Sequence, residues 1–172
     1  EQYRNLDTVY IPAVRKEELT ALSAEIEDWR DLSVNREILL TGRIAEIKYY
    51  PLEDTYDSIT GSFNQGQTYL EGIEQQVSSG NGQLIEVTSS YPNRARNIFN
   101  EVIQDLTSLR RDVTSYVSDI RAEPEYLVSS EPVSKWIGQG EVLLEKINQL
   151  LNSTIALRTE AREKIDLAEE LR

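Results

Sequence analysis

Thirty Asp and Glu side chains and no His, Cys or Met decide what chemistry this chain can carry out. Di-metal carboxylate sites in helical bundles draw on Glu-x-x-His pairs from facing helices, and without His that site cannot be built in its usual form. Glu17/Glu18, Glu53/Asp54/Asp57 and Glu169/Glu170 are spaced as charged first turns or solvated helix faces. The stretch 54–61 has neither the ligand spacing nor the central glycine of a calcium loop. No metal site and no cofactor site is therefore expected. Ser and Thr are plentiful, but Ser-His-Asp and Cys-His arrangements are excluded, and no nucleophile elbow or phosphate-cradling glycine loop occurs. The expectation is a protein without catalytic residues, not an enzyme.

Three other groups could make contacts. Arg94, Arg96, Arg110 and Arg111 form the one local positive cluster, at or near outward helical positions that suit acidic neighbouring helices better than an anionic ligand. Of the nine tyrosines, Tyr56 and Tyr116 fall at core register positions. Tyr49, Tyr50 and Tyr126 fall near two predicted turns, with Glu123 and Glu125 beside them, and together these five residues are the candidate partner-binding tip. Asn152-Ser153-Thr154 matches the N-glycosylation sequon at an outward helical position, a weak signal.

The net charge of -12 repels nucleic-acid phosphates and anionic headgroups, so no nucleic-acid partner is expected. The longest apolar runs are far short of a membrane span, so this segment is not expected to insert in a bilayer. A chain beginning at Glu1 reads as a processed or excised piece. With its acidic, Lys-poor composition, this gives an extracytoplasmic location as the expectation: periplasmic, extracellular or cell surface.

The elements that must position these residues are helices. From Val133 a single heptad register runs through Trp136, Gly140, Leu143, Ile147, Leu150, Thr154, Leu157, Ala161, Lys164, Ala168 and Leu171. Ile137, Leu144, Leu151 and Ile165 widen its face beyond a two-stranded seam. This predicts a helix over 131–172, entered through Ser129-Ser130. Ala95, Phe99, Val102, Leu106, Leu109, Val113, Tyr116 and Ile120 predict another over 93–122, ended by Glu123-Pro124. A third, over 53–79, is predicted from Leu52, Tyr56, Ile59, Phe63, Gly66, Leu70, Ile73 and Val77, and it stops at Gly80-Asn81-Gly82.

After an extended lead-in over 1–12, Leu19, Leu22, Ile26 and Trp29, then Leu40, Ile44 and Ile47, predict a first helix over 13–49. A four-residue stutter at Ser33 and Glu37 interrupts it, and a tight turn at Pro51 ends it. A second register, Ile38, Gly42, Ala45 and Tyr49, runs on into 53–79 and allows instead one Pro-kinked helix over 34–79; the first register carries the heavier apolar face. Residues 80–92 read as a loop holding the β-prone run Leu84–Thr88.

Together these predict one all-α domain over 1–172: an elongated antiparallel four-helix bundle, up-down-up-down, with longer first and last helices. Only the first helix is then long enough to accompany the end of the last, from Thr154 on. The arrangement resembles, in architecture and over nearly the whole chain, the extracytoplasmic four-helix sensor domains of chemoreceptors and related membrane receptors. That resemblance implies a domain that senses a small ligand or binds a protein partner and forms a homodimer through its first and last helices. The alternative is a structural or scaffolding coiled-coil protein, secreted or surface-attached.

Overall fold

Residues 13–78 and 84–170 are described by a computed structural model. They form four helices: α1 (Ala13–Ser78), α2 (Leu84–Arg121), α3 (Glu125–Val128) and α4 (Glu131–Glu170). Among the described residues there is no strand. The chain is all-helical, as the periodicities require, but the helices are divided differently from the expectation.

The tight turn expected at Tyr49-Tyr50-Pro51 is absent, because α1 continues through Pro51. Proline removes the N–H that the carbonyl of Ile47 would accept from. Both Ile47 and Pro51 are exposed, so the freed carbonyl lies on the side where water can replace the lost donor. On the other side the register Gly42, Ala45, Tyr49, Ile59, Phe63, Gly66 and Leu70 is buried on both sides of the proline. Packing therefore holds the backbone helical where local preference alone would break it. The single helix running through Pro51 is the reading that fits, and it extends further back, to Ala13.

The β-prone run Leu84–Thr88 is not a loop segment but the first turns of α2. A weak strand propensity has nothing to pair with here, and helical continuation wins. Pro92 consequently sits inside α2, fully buried. Gly80-Asn81-Gly82, the lead-in 1–12, and Leu171 with Arg172 lie outside the described residues.

Every predicted seam residue of α2 from Ala95 to Ile120 is buried. On α4, Val133, Trp136, Gly140, Leu143, Ile147, Thr154 and Ala161 are buried, while Leu150, Leu157 and Lys164 are half-buried. Two of these are polar, and each has a partner. Thr154 donates its hydroxyl to the Leu150 carbonyl at 2.7 Å, and Lys164 pairs with Glu160 one turn earlier at 2.9 Å. Between α2 and α4 the chain makes one extra helical turn, α3, whose Leu127 is buried. The Ser130 hydroxyl donates back to the Leu127 carbonyl rather than forward into α4, while the Ser130 carbonyl accepts the first bonds of α4, from Val133 and Ser134.

The long helices meet pairwise. Phe63 of α1 lies 6.1 Å from Phe99 of α2, and Tyr69 lies 5.7 Å from Tyr91. Tyr49 meets both Tyr116 of α2 and Trp136 of α4. Three glycines allow these approaches. A Cβ on Gly42 would come within 2.9 Å of the Pro132 backbone oxygen, and one on Gly66 within 2.6 Å of the Phe99 ring. One on Gly140 would come within 2.6 Å of Val117. The end of α4 is accompanied by the later turns of α1, where Leu157 and Glu160 line a shallow hollow with Gln67 and Leu70. The first part of α1 does not reach it, contrary to the expectation, because that part leaves the bundle at the opposite end.

Candidate functional site

The tyrosines expected to share one tip do not come together, because the turn that would have gathered them does not exist. Tyr49 and Tyr50 sit beside Trp136, whereas Tyr126 of α3 donates its hydroxyl to Glu37 at 2.8 Å. Glu37 lies three turns before Tyr49 on α1, about 18 Å along its axis at 1.5 Å per residue. Glu123, just before α3, and Glu125, its first residue, are both exposed, at the Tyr126 end.

Tyr49, Tyr50, Tyr116 and Trp136 form an aromatic joint at which all three long helices meet. Ring centres lie 5.4 Å apart for Tyr49 and Trp136, 5.9 Å for Tyr50 and Trp136, and 6.2 Å for Tyr49 and Tyr116. Lys135 lays its ammonium 5.0 Å above the Trp136 ring. The Tyr116 hydroxyl, in the interior, donates to the Ala45 carbonyl at 3.1 Å and lies 3.5 Å from that of Trp136. Burial pushes its pKa well above the ordinary tyrosine range. Tyr49 is pushed up to about 12, by burial first and then by Glu53, which accepts its hydrogen bond at 3.3 Å, and by Asp57. Tyr126 is also raised, chiefly by its hydrogen bond to Glu37. These phenols stay protonated and act as hydrogen-bond donors, Tyr116 and Tyr126 from one helix to another and Tyr49 within α1.

The Arg cluster is dispersed along α2. Arg94 stands 6.0 Å over the Tyr69 ring, and Arg111 pairs with Asp112 and donates to Ser108. Arg110 and Arg111 line an open hollow with Gln104, Thr107 and Thr114. Among the described residues no group of three or more Asp and Glu side chains is arranged to hold a metal ion, and no helix is long and apolar enough to cross a membrane. Asn152 is exposed, as its register position requires.

The largest feature is one the sequence displayed without marking it as a surface. Every residue from Arg15 to Ser33 is exposed, and Val34 is the first to be even half-buried. This arm carries Leu19, Leu22, Ile26 and Trp29 in the open, Trp29 at 64% exposure. The stripe continues over Leu40, Ile44 and Ile47, all exposed although the bundle begins there. The heavier apolar face of α1 thus points away from the bundle, and the lighter register, Gly42, Ala45 and Tyr49, points in. The signal available in the sequence was the coexistence of two apolar registers on 34–49. One helix with two apolar faces has two surfaces to cover. Comparison of the chain with protein-family models, with curated proteins and with solved structures finds no match.

Proposed function

We propose that this chain is a non-enzymatic partner-binding module, an antiparallel helical bundle whose α1 arm is the contact surface. The observation that carries this reading is the exposed stripe from Leu19 to Ile47. A solitary helix gains most of its stability from packing its amphipathic face, and contiguous exposed apolar surface marks sites of association. The ring contacts Phe63–Phe99, Tyr69–Tyr91 and Tyr49–Tyr116 support the antiparallel course of α1 and α2, since residue numbers rise on one helix as they fall on the other. The acidic, Lys-poor composition supports an extracytoplasmic setting, where a receptor-like sensing role and a scaffolding role both use such a surface.

A photo-crosslinking side chain placed at Trp29 and, separately, at Ser62 tests the reading in the source cells. Adducts of defined mass are expected from Trp29 and not from Ser62, which lies exposed on the bundle half of α1. Equal yields from both positions, or no adduct from Trp29, count against the arm as a contact surface.

A further inference from the structure

Resting on the reading of the arm as a contact surface, we propose that its occupant is the arm of a second copy of this chain, antiparallel about a twofold axis at Ser33. The exposed stripe is a palindrome in position. Outward from Ser33 its apolar members fall seven, eleven and fourteen residues away in both directions, and four residues away stand Trp29 on one side and Glu37 on the other. A twofold interface requires that if residue i meets residue j, then j meets i. Antiparallel pairing at Ser33 satisfies this throughout: Leu19 meets Ile47 of the second copy, Leu22 meets Ile44, and Ile26 meets Leu40. Every one of these six side chains is exposed in the single chain, at 46% to 63%.

The remaining seam pair and the flanking charges choose the direction. Antiparallel pairing brings Glu37 beside Trp29 and Arg30 of the second copy, and Glu25 on the same edge as Arg43, each contact occurring twice by symmetry. Glu37 already accepts one bond from Tyr126, through Oε2, leaving its other oxygen for that guanidinium. Parallel pairing would set Glu37 against Glu37 across the seam and Arg43 beside Lys48, both repulsive, with Glu25 beside Arg30 as its attractive edge pair. Size and access agree. The paired stretch is about 43 Å long at 1.5 Å per residue. Apart from the Tyr126 hydroxyl on Glu37, the bundle contacts this part of α1 through Gly42, Ala45 and Tyr49, on the side away from the stripe, so a second helix can lie along it.

Sedimentation of the full chain across a concentration range, with thiol cross-linking, tests the proposal. The chain has no Cys, so each introduced thiol reports a single position. The expected result is a dimer that Ile26→Glu weakens on the order of 100-fold or more, with bundle unfolding unchanged because Ile26 is exposed on the arm. Ser33→Cys should oxidise to a linked dimer, and Ile26→Cys should link to Leu40→Cys in a mixture but not to itself. A strict monomer, or self-linkage of Ile26→Cys, overturns the proposal. In that case adducts from Trp29 to a different protein would leave the contact surface standing with another occupant, while an absence of adducts would remove both readings.

Discussion

The two halves of α1 are one continuous helix with similar apolar periodicity, yet from Gly42 to Leu70 the inward register is buried, or half-buried at Leu52 and Tyr56, and from Arg15 to Ser33 every residue is exposed. The difference lies in what stands alongside. The later half has α2 and α4 for neighbours, whereas α2 and α4 turn back near Gly42 through α3, leaving the earlier half alone. A hydrophobic stripe is therefore a statement about one side of a helix, and the cover for it need not be in the same chain.

The largest effect that separates the halves is cavity formation. Phe99 is fully buried against Phe63 and the bare backbone of Gly66, so Phe99→Ala should cost about 3–5 kcal/mol in urea unfolding. Alkaline titration comes next and bears on the bundle half alone. The Tyr49 phenol is raised from its ordinary 10 to about 12, so its neutral form favours the folded state. That contribution is complete below pH 10 and is lost as pH rises from 10 to 12, on the order of 2 kcal/mol. The slope attributable to Tyr49 is the difference between wild type and Tyr49→Phe across this window; identical slopes would mean that the phenol is not held neutral.

Gly42→Ala follows. The added Cβ meets the Pro132 backbone, which cannot rotate aside. Overpacking of about 1–3 kcal/mol, partly offset by about 1 kcal/mol of helix propensity, should leave a modest net loss of stability in thermal unfolding. At Gly61 nothing lies within 4 Å, and Gly61→Ala should instead stabilise by about 0.5–1 kcal/mol. Opposite signs at two glycines of one helix would sharpen the distinction between a packed and an open face; equal signs would break it. The smallest effect belongs to the arm. Leu22→Ser should change bundle unfolding by no more than about 0.5 kcal/mol at dilutions where the chain is monomeric.

The sequence made α4, and α2 from Ala95 on, legible almost residue by residue, because both are packed along most of that length and their registers carry no competing stripe. Trp136, Gly140 and Thr154 were placed on the seam by spacing alone, and all three are buried. Pro51 and the Leu84–Thr88 run misled for one reason: their local preferences are worth a few kcal/mol at most, and helix packing outweighs them. The predicted tip of Tyr49, Tyr50, Glu123, Glu125 and Tyr126 dispersed with the turn on which it depended. On α1 the heavier register points to the wrong core face, because total hydrophobicity does not say which face meets its own chain.

The close approach of Gly42 to Pro132 also has a mechanical meaning. It is a tight backbone approach close to where α1 leaves the bundle, with the Tyr126–Glu37 hydrogen bond just beyond it, and about 43 Å of helix extends from it to Ala13 at 1.5 Å per residue. Such a helix acts as a lever pivoting at Gly42, with the aromatic joint at Tyr49 as its short end. A tilt of about 10° at the pivot swings the tip through about 7 Å at this length, while the ring contacts one to two turns away shift by less than about 2 Å. Whatever grips the arm thus pulls with a mechanical advantage on Tyr49, Tyr116 and Trp136.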